Sequence, residues 1–589
     1  MLKAKWSLSL CLLVFLGCDL GSKRRTNRVD LDAAVSDPTA LRSIDVTPGS
    51  PVLFIDNQKA VTQDFTATGT HVDGTTVDLT SKVTFAIDKA DLGTFAKNTF
   101  TSNKTGGFTT VSAKLGNQVG QTILTLVPRR LDDNGQPLDF FFIAPYQDLT
   151  SPASAVFSFD TKIRQADIAF VIDTTGSMSA KIDNLSQSLS SLTTTLQAQI
   201  PSVAIGVSVY DSWPCQPDGN SSDYLWQLSQ RVITVQGQGL AAVQSTLAGL
   251  VANNGGDSSE PGFDALWAAA TGLPVQTCRP SSTDNIVEAF DDGTAPGAVA
   301  GETTGNIGGM GFRSGALPLL VLVTDAELHD VEDPADTGFA SLASVAHGHL
   351  ATLQAVQQIG GRVIGIASKS GGFDFPNFAA PATGAPSQYE PYDQLVWLAE
   401  QTNTSVPPSA FGGVCGLGMC CTGENGSAIP PDAMGNCPLV FQVNESGQNL
   451  GTSVAAAISK LITYGGFDDT TKVVGKMTDE SNPGIALPAK HTTADFLAPV
   501  DTQRGIVPLS STPAVGSLNG PKAISNNSFI DVKPGTTLQF TVRAYNDFIP
   551  GTDQPQFFKA TIQVIGSDTT LLDSRDVYIL VPPAAVSVG

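Results

Sequence analysis

Basic residues are scarce in this chain. Its 589 residues include 33 lysines and arginines against 55 aspartates and glutamates, a formal charge of −22. A field of that sign repels phosphate backbones, which excludes a nucleic-acid binder and suits a chain that meets cations. Histidine is scarcer still: there are five, dispersed, and none is near Asp173 in sequence. There is no Gly-x-Ser-x-Gly elbow, no His-Glu-x-x-His pair and no Walker A loop. The usual signatures of serine hydrolases, zinc peptidases and P-loop NTPases are therefore missing. Magnesium-dependent phosphoryl chemistry needs no such signature, so a Mg²⁺-dependent hydrolase stays as an alternative. The N-terminal apolar run, Leu8 to Leu16, is too short to span a bilayer.

What is present is length, turns and apolar strands. A chain this long is expected to form three or four domains. A hydrophobic content of 41% is enough for real cores, and 57 glycines and 36 prolines imply many turns and long loops. Lys3 and Lys5 precede the run Leu8–Leu16 as a basic n-region does in a targeting segment. That segment ends Phe15-Leu16-Gly17-Cys18 and resembles a bacterial lipobox. The resemblance implies cleavage after residue 17 and diacylglycerol on the sulfur of Cys18. Removing residues 1–17 takes away two lysines and no acids, which moves the charge from −22 to −24. Residues 18–40 are polar, carry Lys23, Arg24, Arg25 and Arg28, and read as a flexible tether. Its cations would reinforce the lipid at an anionic surface, since one acyl chain alone anchors weakly. The implied location is a bacterial cell envelope, on the outer membrane or cell surface. Asp19, which resembles an inner-membrane retention signal, marks the periplasmic side of the inner membrane as the alternative.

Setting aside Cys11 in the apolar run and Cys18, six of the eight cysteines remain: Cys215, Cys278, Cys415, Cys420, Cys421 and Cys437. An even number in an exported chain reads as disulfides, with about 15 pairings open. The group from Cys415 to Cys437 lacks the paired Cys-x-x-Cys spacing of a zinc site.

Residues 41–128 show short alternating runs at Ser43–Val46, Thr62–Ala67, Val83–Ala86, Thr109–Ala113 and Gln121–Val127, which predict a small β-sandwich. Within them, the stretch Phe65 to Thr76 resembles bacterial Ig-like domains, which implies a spacer. Residues 129–165 form a connector with strand-like patches at Phe140–Ile143 and Val156–Phe159. Residues 166–465 alternate strand and helix. Strands are expected at Ile168–Asp173, Val203–Asp211, Leu319–Asp325, Arg362–Ser368 and Leu439–Val443. Helices are expected at Met178–Ile200, Leu240–Ala252, Phe339–Ile359, Tyr392–Thr402 and Leu450–Tyr464. This is the doubly wound α/β pattern with a mostly parallel sheet. Residues 466–589 return to alternating strands and predict a second β-sandwich, to which Phe140–Phe159 would add strands. The fold class expected is thus multidomain, an α/β doubly wound domain flanked by all-β sandwiches.

The stretch Asp167 to Ser179 reads Asp-Ile-Ala-Phe-Val-Ile-Asp-Thr-Thr-Gly-Ser-Met-Ser. A buried strand delivers Asp173, then the hydroxyls of Thr175 and Ser177, to its carboxyl end just before a helix. Ligands bind at that edge of open α/β sheets, and hard cations want such oxygens. Hydroxyls add coordination without adding negative charge. Three further loops bring acids to the same edge: Tyr210-Asp211, Gly255 to Ala265, and Thr324-Asp325-Ala326-Glu327-Leu328-His329. Crowded acids repel one another unless a cation neutralises them.

The first motif resembles the Asp-x-Ser/Thr-x-Ser signature of von Willebrand factor A domains with a metal-ion-dependent adhesion site. The loops together resemble the I-like domain of integrin β subunits, with Ser259 for a proline and Pro261 for a glycine. The resemblance implies a Mg²⁺ (or Mn²⁺) site at Asp173, Thr175, Ser177, Glu260 and Asp325. In it the hydroxyls and Glu260 bind directly and the two aspartates act largely through water. It also implies a neighbouring Ca²⁺ site at Asp211, Asp257, Glu260 and the carbonyl of Ser259, with Gly255 where the family has Asn. A third family site needs two aspartates where this chain has Ala180 and Lys181, so it is expected to be absent. The likeness suggests pairing Cys278 with Cys215, although Cys278 falls several positions late. His329 matches in position but is left out of the shell. His347 and His349 are two apart on an expected helix and face different ways. The function implied is metal-dependent cell adhesion: no enzyme, but capture of a protein partner that presents an Asp or Glu carboxylate, from a lipid anchor in the membrane. A structural envelope component whose metal only braces the loops is the other non-enzymatic reading.

Overall fold

The computed structural model describes residues 40–214, 219–252, 255, 259–276, 286–287, 297–332, 344–368, 391–411, 421–422, 428–432, 434–444, 446–474, 492–497, 505–512, 523–524 and 528–584. They fall into two compact units, divided after Pro128. Among the described residues no helix is long and apolar enough to cross a membrane.

The first unit is all β. Its strands form a three-stranded sheet (41–47, 66–71, 76–78), a four-stranded sheet (52–56, 118–129, 107–115, 84–87) and a second three-stranded sheet (62–64, 99–102, 93–96). The run Thr62–Ala67, expected as one strand, is cut at Phe65. That ring is fully buried, and its N–H donates to the Asn98 carbonyl at 2.8 Å. The chain changes sheets there, so one side chain serves as a corner. Phe95 packs against it with ring centroids 5.7 Å apart, and Phe85 and Phe100 pack in turn on Phe95 at 5.6 and 5.7 Å.

In the second unit the chain begins with β1 (Phe140–Ile143) and β2 (Ala155–Asp160), then enters β3 (Gln165–Asp173). There follow α1 (Ser179–Gln197), β4 (Ser202–Tyr210), β5 (Gln227–Thr234), α2 (Gly239–Ala248), β6 (Ser259–Glu260) and α3 (Gly262–Thr271). Next come β7 (Leu317–Thr324), β8 (Glu327–Leu328), α4 (His349–Gln358), β9 (Arg362–Ser368), α5 (Pro391–Gln401), β10 (Val440–Val443) and α6 (Leu450–Tyr464). The main sheet runs β5-β4-β3-β7-β9-β10, parallel except for β5 at one edge. Counted in chain order this is the 3-2-1-4-5-6 order of a doubly wound sheet, whose binding crevice lies at the carboxyl ends of the central strands.

Strand β3 shows why the sheet sits where it does. Ile168, Phe170 and Ile172 face one way and pack with Ile182, Leu185, Leu189, Leu192 and Leu196 of α1 and with Val454, Ile458 and Leu461 of α6. The smaller Ala169 and Val171 face the other way and join Phe263, Leu266 and Ala269 of α3, Val356 of α4 and Leu395 and Leu398 of α5. Both faces are covered, so the strand reads as a continuous apolar run rather than an alternating one. Burial of a Leu or Ile side chain contributes roughly 1.5–3 kcal/mol, so covering both faces holds the strand in place.

After α6 the chain forms β11 (Phe467–Val474), β12 (Gly505–Thr512), β13 (Ser528–Val532), β14 (Thr537–Arg543), β15 (Gln556–Gly566) and β16 (Thr570–Val581). They make two sheets, β1-β16-β15-β11-β13 extended by residues 523–524, and β2-β14-β12. Strand β1 lies parallel to β16, with Phe140 opposite Val577, and β2 lies antiparallel to β14, with Phe157 opposite Phe540. The α/β segment is therefore inserted between two strands of a β-sandwich and the rest of it. Cys421 and Cys437 form a disulfide with Cα atoms 5.4 Å apart. Cys18, Cys215, Cys278, Cys415 and Cys420, along with the signal segment and most of the tether, lie outside the described residues.

Candidate metal centre

Strand β3 ends at Asp173, whose side chain is fully buried. Its Oδ1 accepts the Thr175 N–H at 2.9 Å and the Thr175 hydroxyl at 2.8 Å. These bonds turn the chain sharply after the strand. A single 3₁₀ turn, Gly176–Met178, then leads into α1. The other oxygen, Oδ2, accepts the Thr324 hydroxyl from the end of β7 at 2.9 Å. The Ser177 hydroxyl lies 3.4 Å from that of Thr175 and donates to Asp325 Oδ1 at 2.8 Å. Past the last backbone pair, Ile172 and Val323, side chains continue the join between these two parallel strands.

Glu260 arrives from a third direction. It sits in the two-residue strand β6, parallel to β8, with Glu260 opposite Leu328. Its carbonyl accepts the His329 N–H at 2.9 Å. Its Oε2 accepts the Ser212 hydroxyl at 2.7 Å. Its Oε1 faces the backbone of Gly255, where an added Cβ would lie 3.4 Å from Oε1 and 3.1 Å from Thr175 Cγ2. Gly255 has φ +66°, a left-handed conformation that favours glycine. The five residues expected at the central site, Asp173, Thr175, Ser177, Glu260 and Asp325, are therefore gathered at one sheet edge.

Of the expected second set, Asp211 is buried and accepts the Ser212 N–H at 2.8 Å, so Ser212 bridges Asp211 to Glu260. The Ser259 hydroxyl donates to Glu327 at 3.3 Å. Asp257 lies outside the described residues.

Charge balance tests whether a cation fits. Asp173, Glu260 and Asp325 are 0%, 3% and 6% exposed. Asp325 is paired with Lys181, 2% exposed, whose Nζ is 2.9 Å from Asp325 Oδ2 and 2.8 Å from the Ser177 carbonyl. Asp211, also buried, lies beside Glu260 through Ser212, so four buried carboxyl groups crowd this edge. Crowding buried carboxylates is costly, and a divalent ion would lower that cost. The donors are hard oxygens, which suits Mg²⁺ or Mn²⁺. Burial, and then the charge of Asp325, push the Asp173 carboxyl up to about 7. The Tyr210 phenol, fully buried, is pushed well above its ordinary value by burial and then by Asp173. Both shifts come first from burial and second from a neighbouring carboxylate.

Three residues here were not picked out from the sequence. Ser212 and Thr324 carried no signal beyond lying next to a chosen aspartate. Lys181 did carry one. The buried face of α1 runs through Lys181, Ile182, Leu185, Leu189, Leu192 and Leu196. A lysine on that stripe has to point inward.

The histidines resolve into separate pairs. His347 Nδ1 lies 2.9 Å from buried Asp264 and its ring stacks on Trp267, while His349 Nδ1 lies 2.6 Å from Asp330. Asp330, Glu332 and His349 lie close enough to hold an ion. However, Asp330 accepts the His349 N–H and Glu332 accepts the Leu350 N–H. The group thereby caps the N-terminus of α4.

No family model matches the chain, and no curated protein does. Among solved structures, a von Willebrand factor type A protein from Catenulispora acidiphila is similar at 10% identity, over 85% of this chain and 74% of that one, with a TM-score of 0.27. The pilus adhesin SpaC from Lactobacillus rhamnosus GG, in an open conformation, is similar at 10% identity with the same TM-score, over 85% of this chain and 55% of that one. This chain thus spans about half of the adhesin's length. The fold assignment made above rests on strand order and packing, not on these likenesses.

Proposed function

We propose that this protein is an adhesion-type binding protein of the cell envelope, anchored by lipid at Cys18. Its α/β unit, read as a von Willebrand factor A domain of integrin β I-like type, would capture an acidic side chain of a protein partner through Mg²⁺ or Mn²⁺. The observation that carries this reading is the convergence of the buried carboxyl groups of Asp173, Glu260 and Asp325 with two neutral hydroxyls, Thr175 and Ser177, at the carboxyl edge of β3 and β7. Thr175, Ser177 and Glu260 would hold the ion directly, and Asp173 and Asp325 from behind. Asp211, Glu260, the carbonyl of Ser259 and Asp257 would hold a neighbouring Ca²⁺. A bound divalent ion supplies a Lewis-acid point for an incoming carboxylate.

The chain's own residues prepare that point. Both oxygens of Asp173 are tied, by Thr175 and by Thr324, which keeps the carboxylate oriented. Ser212 fixes one oxygen of Glu260 and leaves the other toward Thr175. A bound divalent ion would offset the negative charge of these carboxylates, so a partner's acid would meet less like charge.

Calorimetric titration of the full chain with MnCl₂ tests the centre. The wild type is expected to bind, and Asp173→Ala to lose binding while its circular dichroism is retained. A wild type that takes up no Mn²⁺ would refute the reading. Detergent phase separation tests the anchor: Cys18→Ala should move the protein from the detergent-rich to the aqueous phase. The bracing alternative draws on the same hydrogen bonds, because every oxygen of Asp173 and Asp325 has a protein partner. If partner capture persists in EDTA while the melting temperature falls, that alternative replaces adhesion.

A further inference from the structure

A lysine whose side chain is 3% exposed is uncommon, because an ammonium removed from water needs compensation. Both acceptors of Lys181 belong to the proposed centre: the Asp325 carboxylate and the carbonyl of Ser177. Asp325 is thereby committed at both oxygens, Oδ1 to the Ser177 hydroxyl and Oδ2 to a full positive charge. The ammonium cannot easily leave. Its stem lies on the buried face of α1, and the loop before α6 closes over it, so that a Cβ added at Gly447 would lie 2.8 Å from Lys181 Cα.

We propose that Lys181 is a fixed internal cation of the centre, a specificity-determining residue that holds Asp325 back from a bound divalent ion. This rests on the metal-centre reading given above. Two consequences follow from elementary electrostatics and coordination. A positive charge shared on Asp325 weakens the attraction of every divalent ion. The loss is greatest for Ca²⁺, which takes about 6–8 oxygen ligands and needs carboxylates to close on it, whereas Mg²⁺ keeps several waters. Lys181 thus keeps the affinity moderate and tilts the choice toward Mg²⁺ and Mn²⁺.

The test is calorimetric titration of the full chain with MnCl₂, MgCl₂ and CaCl₂, beside thermal melts in EDTA, for the wild type, Lys181→Met, Lys181→Arg and Asp173→Ala. Lys181→Met should bind Mn²⁺ and Mg²⁺ about ten-fold tighter than the wild type and gain still more for Ca²⁺. It should melt lower in EDTA, with Asp325 unpaired, and recover with Mn²⁺. Lys181→Arg keeps the charge and should stay closer to the wild type than Lys181→Met does. If Lys181→Met fails to fold without metal, Lys181→Gln, whose amide still donates to Asp325, carries the same expectation. Equal or weaker ion binding by the neutral variants, with wild-type binding still abolished by Asp173→Ala, overturns the role of Lys181 and leaves the centre standing. An absence of Asp173-dependent binding in the wild type and all variants overturns both.

Discussion

At the scale of single residues, Asp173 sets a pH dependence with a definite sign. Its folded carboxyl sits at about 7, against an ordinary value of 3.8. Between those values the folded chain holds a proton that the unfolded chain has released. Stability from this group is therefore full below pH 4 and declines as pH rises toward 7. A shift of this size corresponds to about 4 kcal/mol as an upper bound. Urea unfolding in EDTA should show the wild type losing stability relative to Asp173→Asn from pH 4 to pH 8, and parallel curves would contradict it. Added Mg²⁺ should stabilise the wild type more at pH 8 than at pH 5, since ligands bind metal deprotonated. The convergence of Asp173, Thr175, Ser177 and Asp325 was readable because each ends or directly follows an apolar run. The tie between Glu260 and Ser212 was not, because a two-residue strand has no periodicity to read.

Among elements, long runs of apolar residues were legible and short or mixed ones were not. Strands β3, β4, β7, β9 and β10 each lie where a buried run stands in the sequence. Strand β5 was missed: Gln227, Ser229, Gln230 and Arg231 interrupt its pattern, although Gln230 and Arg231 are buried in it. Arg231 Nη2 donates to the Gly305 carbonyl at 2.8 Å, a tertiary contact that no local pattern announces. Helix α3 was read as loop because it starts at Pro261-Gly262 and spans only ten residues. The packing of α1 on α6 turns on a close approach that only a structure reveals. A Cβ at Gly451 would fall 2.0 Å from Ser188 Oγ and 2.4 Å from Ser188 Cβ. Alanine favours a helix interior by about 1 kcal/mol over glycine, yet here it forces the helices apart. Gly451→Ala should lower stability by about 1–3 kcal/mol, and Ser188→Gly should restore much of it in the double variant. Additive effects of the two substitutions in denaturant melts would show that the contact does not limit the packing.

For the whole second unit, the decisive feature is that the α/β segment leaves and rejoins the sandwich at one place. Just after β2, the Thr161 hydroxyl donates to the carbonyls of Lys533 and Thr536, each at 3.1 Å. Just after α6, Gly466 lies against the same turn: a Cβ there would be 2.0 Å from Asp531 Oδ1 and 3.1 Å from Lys533 Nζ. Entry and exit are therefore neighbours, the geometry under which a whole domain is tolerated inside another. The converse is that the sandwich needs strands from both sides of the insertion. Residues 466–589 alone would lack β1 and β2, exposing the row of β16 that pairs with Phe140–Ile143 and the row of β14 that pairs with Ala155–Asp160. It would also lose the buried rings of Phe142 and Phe159, the latter stacked 5.7 Å from Phe540. Open edges of that kind invite aggregation. Expressed by itself, the 466–589 fragment should be insoluble or lack a cooperative melt. A chain joining 129–163 to 466–589 through a short Gly-Ser link should be soluble and melt cooperatively, although Arg362 no longer bonds the Gly466 carbonyl and Ser567. A folded 466–589 fragment would show that β1 and β2 only decorate the sandwich, and an unfolded joined chain would show that the sandwich depends on the α/β segment packed against it.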